Sequence, residues 1–317
     1  MSSHNHIKSV LVVGAGLMGT GIAQLFASRG YPVALTDLSE KILADALVNI
    51  RRSLERMAEQ GLAEASGIEA AVGRIRTTSD FEKATRDAGF VVEAVSENLA
   101  LKQDIFRRLD ALCPPDVVLA TNTSVISITE IARMATHQER IVGTHFWNPP
   151  TLIPLVEVVP GEHTAPRSVE IAFSLLAALG KHPVRVKQDV PGFVGNRLQH
   201  ALWREAVSIV ERGIADADVV DEVVKYGFGM RLPVLGPLEN AELVGLDLTL
   251  AIHDYILKYL ESSPNPSPLL VEKVAKGDLG FKSGVGFREW NHEKMSRVRT
   301  DLETHLFQWL KEHGKSI

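Results

Sequence analysis

The chain has 317 residues, of which 45% are hydrophobic and 23% are charged, with a net charge of −5. The length favours two domains, the charge argues against a nucleic-acid surface, and no apolar run reaches the ~18 residues of a membrane span. The single cysteine, Cys113, excludes an internal disulfide and a Cys-rich metal site, so we expect no metal. One cysteine and a short polar start, unlike a secretory signal, favour a cytoplasmic protein.

The first forty residues predict a βαβ unit with a glycine-rich turn. Residues 8–13 have the apolar composition of a buried strand, and Gly14-Ala-Gly-Leu-Met-Gly19 follows directly. A helix is predicted over residues 20–29, where Gly30 ends it, and residues 32–37 form the next predicted strand. This succession of elements is typical of a dinucleotide-binding unit.

Strands and helices continue to alternate as far as residue 187. The further predicted strands are residues 90–94, 117–121, 141–145, 154–159 and 184–187. The predicted helices that accompany them are residues 40–60, 101–112, 128–135 and 167–179. This alternation predicts an α/β fold with an N-terminal, mostly parallel, Rossmann-type doubly wound sheet.

The pattern changes at Asp189-Val-Pro-Gly-Phe193, beyond which it is helical almost throughout. The predicted helices there are residues 196–212, 216–226, 237–260 and 301–312. We therefore predict a boundary near Gln188, with a dinucleotide-binding domain over residues 1–188 and an all-α domain over residues 189–317.

The glycine pattern predicts an NAD site because of its context between a strand and a helix. Gly14 permits the tight turn, Gly16 lets the backbone approach a pyrophosphate, and Gly19 allows close packing of the helix on the strand. Asp37, at the end of the next strand, is placed to accept hydrogen bonds from ribose hydroxyls. Leu38 follows it where an arginine would favour NADP, so we expect NAD. FAD, or a glycine-rich turn without a ligand, are the alternatives.

Polar segments follow three of the predicted strands, and one contains a histidine suited to acid–base chemistry. The segments are Glu93-Ala-Val-Ser-Glu-Asn98, Thr121-Asn-Thr-Ser124 and His145-Phe-Trp-Asn148. Ligands of open α/β sheets bind beyond the carboxyl ends of the strands, so these segments converge on the cofactor. Alcohol oxidation needs a base for the hydroxyl proton, and histidine titrates near neutrality.

Glu157 is the predicted partner of His145. It interrupts the apolar run Leu155-Val-Glu-Val-Val159, where an unpaired buried charge would be costly. A carboxylate there can fix the tautomer of the histidine and stabilise its protonated form. Each piece also has a structural alternative: His145 as a satisfied core histidine, Glu157 as a strand-edge charge, and Asn122 and Ser124 as turn or cap residues. Their shared position at strand ends beside a cofactor fingerprint favours a catalytic site.

These residues resemble the 3-hydroxyacyl-CoA dehydrogenase family over nearly the whole chain. The motifs that carry the resemblance are Gly14-Ala-Gly-Leu-Met-Gly-Thr-Gly-Ile-Ala23, Val92-Glu-Ala-Val-Ser-Glu-Asn-Leu99, Thr121-Asn-Thr-Ser124, Gly143-Thr-His-Phe-Trp-Asn-Pro149, Leu155-Val-Glu-Val158, Pro191-Gly-Phe-Val-Gly-Asn-Arg197, Gly236-Pro-Leu-Glu239, Val244-Gly-Leu-Asp247 and Lys282-Ser-Gly-Val-Gly-Phe287. The resemblance implies a Rossmann domain, a helical dimerisation domain and a homodimer that binds NAD and a small-molecule substrate, without nucleic acid or membrane.

The resemblance also implies roles for individual residues. His145 is the implied catalytic histidine, Glu157 its acidic partner, and Ser124 and Asn196 bind the substrate hydroxyl or carbonyl. The implied cofactor contacts are Gly14, Gly16, Leu17, Met18, Gly19, Asp37, Ala94, Glu97, Lys102, Asn122, Ser124, Asn148 and Lys282.

One segment departs from the acyl-CoA pattern and leaves the substrate open. Gly229-Met-Arg-Leu-Pro-Val-Leu-Gly-Pro-Leu238 looks like relatives that oxidise free acids, namely L-gulonate 3-dehydrogenase and L-carnitine dehydrogenase. Other segments look like the pyridine-carboxylate dehydrogenase of vitamin B6 degradation. Arg231 could grip a small carboxylate, or cap a helix, or pair at a dimer interface. Arg51, Arg52 and Arg56 could meet CoA phosphates, although helical spacing is also typical of a solvated face.

We therefore predict an NAD-dependent dehydrogenase that reversibly oxidises the 3-hydroxyl of an L-3-hydroxyacyl-CoA, such as 3-hydroxybutyryl-CoA. A dehydrogenase of a free hydroxy acid, of the L-gulonate, L-carnitine or pyridine-carboxylate type, is the alternative within this class. An NAD-binding structural or regulatory protein is the alternative from another class. The complete set of His145, Glu157, Ser124 and Asn196 argues against that last alternative, because a scaffold does not need it.

Overall fold

The computed structural model describes His4 and residues 7–313, and within this part of the chain eight strands form one sheet. The strands are β1 (Val10–Val13), β2 (Val33–Thr36), β3 (Ile75–Thr78), β4 (Phe90–Glu93), β5 (Val118–Thr121), β6 (Ile141–Phe146), β7 (Leu155–Pro160) and β8 (His182–Arg185). Their order is β3-β2-β1-β4-β5-β6-β7-β8. Neighbouring strands pair in parallel except β6 and β7, which are antiparallel.

The described part of the chain also contains thirteen α-helices. They are α1 (Leu17–Ser28), α2 (Glu40–Glu59), α3 (Ile68–Gly73), α4 (Phe81–Thr85), α5 (Leu99–Leu112), α6 (Ile128–Ala132), α7 (Pro166–Ala178), α8 (Gly195–Glu211), α9 (Ala217–Tyr226), α10 (Pro237–Val244), α11 (Leu246–Ile256), α12 (Pro268–Lys276) and α13 (His292–His313). Short 3-10 helices lie at Ala65–Gly67, Gln138–Arg140 and Phe228–Met230. The predicted α/β class, with a Rossmann-type sheet followed by a helical part, is confirmed.

The sheet is buried on both faces, which explains the apolar strands. Val10, Leu11, Val12 and Val13 are all buried, so β1 has no polar alternation. One hydrophobic cluster unites the sheet with residues of α1, α2 and α7. A second cluster, on the other face, unites it with residues of α5 and α6. The carboxyl ends of the central strands are therefore left as the open edge where polar side chains collect.

The chain divides into two compact units. One contains the described residues up to Asn196 and from Leu302 onward, and the other spans Arg197–Asp301. Helices α8 and α13 each contribute residues to both units. Among the residues that the structure describes, no helix is both long and apolar enough to cross a membrane.

Several elements differ from the sequence prediction. The helix predicted over residues 237–260 is two helices, because Gly245 has a φ of +107° and breaks it. Helix α13 begins at His292 rather than near residue 301. Elements α3, β3, α4 and α12 were not predicted, since three are six residues or shorter and only one residue of β3 is buried.

The C-terminal end of α13 packs against the first unit, to which it belongs. Phe307 is buried in a small cluster with Met57 of α2 and Leu152, which lies between β6 and β7. An ion pair between Arg56 and Glu303, 3.3 Å from Nη1 to Oε1, lies in the same region. This end of α13 therefore packs against the connection between β6 and β7, which follows the predicted catalytic histidine.

Candidate active site

His145 and Glu157 face each other across the antiparallel pair of β6 and β7. They are register partners, and Nδ1 of His145 lies 2.8 Å from Oε2 of Glu157. The side chains are 5% and 1% exposed, so the pair is almost fully removed from water. An ionised carboxylate can only accept, so Nδ1 carries the proton and Nε2 presents a lone pair. This is the arrangement that a general base requires.

The second oxygen of Glu157 is held by backbone amides. Oε1 accepts hydrogen bonds of 3.0 Å from both Val194 and Gly195, at the beginning of α8. Burial raises the pKa of Glu157, but the hydrogen bonds from His145, Gly195 and Val194 outweigh it and hold the pKa below its ordinary value. Glu157 is therefore anionic at neutral pH and can stabilise a protonated His145.

Two aromatic rings flank His145. The Trp147 ring lies 5.3 Å and the Phe193 ring 5.8 Å from the imidazole, centroid to centroid, and both are tilted against it. Phe193 is 1% exposed. The indole of Trp147 also packs on Gly195, where an added Cβ would lie 2.3 Å from a ring carbon. The imidazole is thus fixed by packing as well as by its bond to Glu157.

The glycine-rich turn fits the pyrophosphate of a dinucleotide. Gly14 has a φ of +97°, and a Cβ there would lie 2.7 Å from the carbonyl oxygen of Ala94. A Cβ on Gly19 would lie 1.8 Å from the carbonyl oxygen of Gly14, so close packing requires glycine. Around Gly16 a Cβ would meet nothing within 4 Å, which leaves space for a ligand. Among the described residues no side chain caps the N-terminus of α1, whose N-cap residue is Gly16, so its amides are available to an anion.

Asp37 is fixed in the position expected of a ribose-binding carboxylate. Its Oδ2 accepts a hydrogen bond of 2.9 Å from the amide of Ala15, which ties it to the glycine-rich turn. Its Oδ1 accepts from the amide of Ser39 at 3.3 Å. Leu38, beside it, is 97% exposed and provides an apolar surface without positive charge. These residues fit NAD better than a cofactor with a 2′-phosphate.

A buried ion pair supports the ends of β4 and β5. Nζ of Lys102 lies 2.7 Å from Oε1 of Glu93 and 3.5 Å from Oε2 of Glu97. The side chains of Lys102 and Glu93 are 1% and 0% exposed. Thr121 donates a hydrogen bond of 2.7 Å to the other oxygen of Glu93. Lys102 was predicted to contact the cofactor, but its ammonium group is engaged with these two carboxylates inside the protein.

Glu97 organises the turn that carries Ser124. Its Oε1 accepts from the hydroxyl of Thr123 at 2.6 Å and from the amides of Ser124 and Val125 at 2.9 and 3.1 Å. Burial raises the pKa of Glu97, but these hydrogen bonds and the charge of Lys102 outweigh it, so the pKa lies below its ordinary value. Glu97 is thus an anionic anchor for the turn after β5.

The predicted substrate-binding residues Ser124 and Asn196 lie together. Nδ2 of Asn196 donates a hydrogen bond of 2.8 Å to the carbonyl oxygen of Ser124. The Ser124 hydroxyl makes no hydrogen bond to any residue within the described ranges, so it is available to a ligand. Oδ1 of Asn122 accepts from the amide of Phe146 at 2.9 Å, which links the ends of β5 and β6. The alternative that Asn122 or Ser124 caps α6 is wrong, because Ser127 caps it.

Three further predicted contacts, Asn148, Arg231 and Lys282, are exposed. Asn148 is exposed in the connection after β6. Arg231 and Lys282 belong to the unit that spans Arg197–Asp301, and both are exposed. Arg231 ends the 3-10 helix at Phe228–Met230, yet its side chain makes no ion pair with the residues that the structure describes.

The ion pairs of the arginines of α2 argue against a phosphate-binding role. Arg51 pairs with Glu69 and Arg56 pairs with Glu303, whereas Arg52 is exposed. Since two of the three guanidinium groups already have carboxylate partners, the arrangement favours a solvated face over a CoA-phosphate site.

The sequence prediction missed the turn of Phe193, Val194 and Gly195 as part of the site. The Pro191-Gly192 dipeptide before it signals a turn, but nothing in the sequence tells which group its amides contact. The described residues contain no cluster of three or more His, Cys, Asp or Glu side chains that could hold a metal ion.

Comparison with known proteins identifies a family. Residues 9–190 match the family model for the NAD binding domain of 3-hydroxyacyl-CoA dehydrogenase, and residues 192–290 match the model for its C-terminal domain. The probable 3-hydroxybutyryl-CoA dehydrogenase of Bacillus subtilis is 38% identical over 90% of this chain and 99% of its own length.

A pyridine-carboxylate enzyme is also similar. The 5-formyl-3-hydroxy-2-methylpyridine 4-carboxylate 5-dehydrogenase of Mesorhizobium japonicum is 37% identical over 93% of this chain and 94% of its own length. A crystal structure of an enzyme of that activity, described as an NAD+-dependent dismutase, superposes with a TM-score of 0.88 at 34% identity. The superposition covers 95% of this chain and 97% of the chain in the crystal structure.

The matches extend across both units, and the residues that the family resemblance singled out as a catalytic pair are in contact. The N-terminal part of the chain is an NAD-binding domain, and NAD is the cofactor. The chain belongs to the 3-hydroxyacyl-CoA dehydrogenase family of NAD-dependent oxidoreductases.

Proposed function

We propose that this protein is an NAD-dependent dehydrogenase that oxidises the 3-hydroxyl of an L-3-hydroxyacyl-CoA, such as 3-hydroxybutyryl-CoA, to the 3-keto product, and catalyses the reverse reaction. The observation that carries the proposal is the buried His145–Glu157 pair, with Nδ1 and Oε2 at 2.8 Å. Similarity to 3-hydroxybutyryl-CoA dehydrogenases along the chain supports this substrate class.

In this proposal His145 takes the proton of the substrate hydroxyl on Nε2. Bound NAD supplies the hydride acceptor. Glu157 holds Nδ1 protonated, so the other nitrogen is the base, and its negative charge stabilises the imidazolium that forms. In the reverse direction the same imidazolium returns its proton to the carbonyl oxygen. A positioned acid–base group of this kind typically contributes about 10²- to 10⁴-fold.

Ser124 and Asn196 are the proposed contacts to the reacting oxygen. The free hydroxyl of Ser124 can donate to a carbonyl or accept from an alcohol, and Asn196 holds the turn through its bond to the Ser124 carbonyl. Glu97 fixes the same turn through the Ser124 amide. We infer that Lys102 acts on the cofactor edge through Glu93 and Glu97 rather than by direct contact.

Glycines 14, 16 and 19, Leu17, Met18 and Asp37 are the proposed contacts to the adenosine diphosphate part of NAD. Ala94, Glu97, Asn122, Ser124 and Asn148 are proposed to line the part of the cofactor near the strand ends. Lys282 remains a proposed contact by resemblance.

The test is NADH formation with a panel of substrates. We expect turnover with 3-hydroxybutyryl-CoA or a longer L-3-hydroxyacyl-CoA, and no turnover with the D-isomers. The free acids L-gulonate and L-carnitine, and a pyridine alcohol carrying a carboxylate, form the second arm. Turnover of a free acid but of no acyl-CoA would favour a free hydroxy acid as the substrate class. No turnover in either arm would refute both substrate classes.

A free hydroxy acid is the second candidate substrate, and three observations favour it. The pyridine-carboxylate enzyme is similar over most of the chain in sequence and in structure. The Arg231 side chain is exposed and has no ion-pair partner in the described part of the chain, so it could bind a carboxylate bidentately. The salt-bridged arginines of α2 also argue against a dedicated site for CoA phosphates.

The alternative of a structural NAD-binding protein has less support. Burying His145 and Glu157 costs free energy, and a scaffold gains nothing from a buried, hydrogen-bonded histidine and carboxylate beside its cofactor site. NAD binding without reduction by any member of the panel would favour this alternative.

We also propose that the protein is a cytoplasmic homodimer in which residues 189–317 serve dimerisation and substrate binding. No residue of α9, α10, α11 or α12 is buried. Leu243, Leu250 and Tyr255 are 71%, 63% and 68% exposed, and apolar surfaces of this extent are typical of an interface. Light scattering should give twice the mass of one chain, and a monomer at micromolar concentration would contradict the proposal.

A further inference from the structure

The turn before α8 has an unusual backbone. Gly192 has a φ of +78° and Phe193 a φ of +48°, so two successive residues are left-handed. Phe193 is the only residue other than glycine with a positive φ among the described residues. A bulky side chain rarely adopts this conformation, and such residues persist where the surroundings hold them. The amide of Phe193 donates to the carbonyl oxygen of Val190 at 3.0 Å, which closes the turn.

The consequence of this backbone is that two consecutive amides point at one carboxylate oxygen. Val194 and Gly195 both donate to Oε1 of Glu157 at 3.0 Å. Successive amides after a left-handed turn form an anion-binding concavity, and here the anion is a side chain of the protein itself. These two bonds leave Oε2 of Glu157 directed at His145, at 2.8 Å.

The side chain of Phe193 has a second contact with the same pair. Its ring lies 5.8 Å from the His145 ring, and the Trp147 ring lies 5.3 Å from the same imidazole. Phe193 is 1% exposed and belongs to the hydrophobic cluster that includes Phe106. The residue thus contacts the imidazole through its ring and the carboxylate through the amides that its backbone directs.

We propose that Phe193 is a positioning residue for the acid–base pair: its left-handed backbone delivers two amides to Glu157, and its ring restrains His145. Only the expected effect of Phe193 on turnover rests on the proposed function. The backbone and ring contributions are separable, because glycine tolerates the left-handed conformation without a ring, whereas a β-branched residue keeps apolar bulk but disfavours that conformation.

The experiment compares Phe193→Gly and Phe193→Ile with the wild type. Each variant is assayed for kcat and KM, for NADH affinity by fluorescence, and for titration of the Glu157 carboxyl by ¹³C NMR, with the resonance assigned from Glu157→Gln. Phe106→Ile is the matched control for loss of stability, because it is the same exchange in the same hydrophobic cluster and the Phe106 ring has no ring contact with His145 among the described residues.

We expect Phe193→Ile to lower kcat/KM by about 10-fold or more and to move the Glu157 titration to higher pH, because bonds to the charged carboxylate are lost. Phe193→Gly should keep the Glu157 titration of the wild type while kcat/KM falls about 10-fold, because the imidazole loses its restraint. NADH affinity should stay within 2-fold in both. Phe106→Ile should change neither kcat/KM nor the titration.

An unchanged Glu157 titration in Phe193→Ile overturns the backbone contribution, and wild-type kcat/KM in Phe193→Gly overturns the ring contribution. If Phe193→Ile does not fold, Gly192→Ala tests the same amides, since alanine also disfavours the φ of +78°. The NMR titration needs no substrate. A wild type without turnover but with the expected titration differences would therefore refute the proposed function and leave the backbone part of this inference intact.

Discussion

Replacing Glu157 with glutamine tests the contribution of its negative charge with little change of shape. The side-chain carbonyl can still accept from Val194 and Gly195, so the turn is retained. The amide group then faces Nδ1 of His145, which must become an acceptor, and the proton moves to the nitrogen that should be the base. The lost interaction is a buried charge-assisted hydrogen bond of 2.8 Å. Such bonds contribute about 1.5 to 3 kcal/mol, or about 10- to 150-fold in rate.

The assay is steady-state NADH formation, with NADH affinity measured separately by fluorescence. We expect Glu157→Gln to lower kcat by at least about 10-fold while NADH affinity is unchanged. Glu170→Gln is the matched control, because Glu170 is half exposed and pairs with Arg185 at the surface. A Glu157→Gln variant with kcat within 2-fold of the wild type would refute the reasoning that Glu157 orients and stabilises His145.

Three further changes test other parts of the structure. Arg231→Leu should abolish turnover of a free acid and leave a thioester unaffected if Arg231 binds a carboxylate; an unchanged KM for the acid excludes that role. Burial raises the pKa of Asp110, but hydrogen bonds from Arg140 and backbone amides outweigh it and lower the pKa. Ionised Asp110 therefore stabilises the folded protein at pH values above the ordinary pKa of aspartate. This stabilisation is lost as the pH falls through the lowered pKa of Asp110 in the folded state. Asp110→Asn should lower the free energy of unfolding by about 3 to 5 kcal/mol at pH 7, measured with urea. The variant should also lose less stability than the wild type as the pH falls. Equal losses of stability on acidification in the variant and the wild type would contradict this. Phe307→Ala should cost about 3 kcal/mol by the same assay, and a neutral effect would show that the cluster contributes little.

The sequence was sufficient for the features that depend on local pattern. The alternation of apolar strands and amphipathic helices predicted the sheet, and the glycine-rich turn with Asp37 predicted the nucleotide end. The contact between His145 and Glu157 followed from the cost of burying a carboxylate in an apolar strand. These inferences succeed because the physical requirement lies within a few residues of the feature.

Contacts between distant segments could not be predicted. The amides of Val194 and Gly195 reach Glu157 across 37 and 38 residues, and an amide has no signature in a sequence. Lys102 is buried against Glu93 because the start of α5 lies beside the end of β4, and this placement was not evident from the sequence. Charge and position in the chain do not reveal whether a long side chain points outward or folds back into the protein.

The helical half was the least accurate part of the prediction. The break between α10 and α11 depends on one glycine in an apolar run, and a glycine within a helical pattern does not by itself dictate a break. The first turns of helix α13 are rich in charged residues and mostly exposed, so the sequence does not show where the helix begins. Around Gly245 the apolar pattern continues without a visible break, and at the start of α13 it is weak.

If His145 moves the substrate proton in an NAD-dependent oxidation, the His145→Ala variant should lose turnover and still bind the cofactor. The measurement is kcat on a substrate that the wild type turns over, alongside NADH affinity and the unfolding midpoint. We expect kcat to fall by about 10²- to 10⁴-fold while NADH binds as tightly as before. A folded His145→Ala variant that retains kcat within a few-fold of the wild type would contradict it.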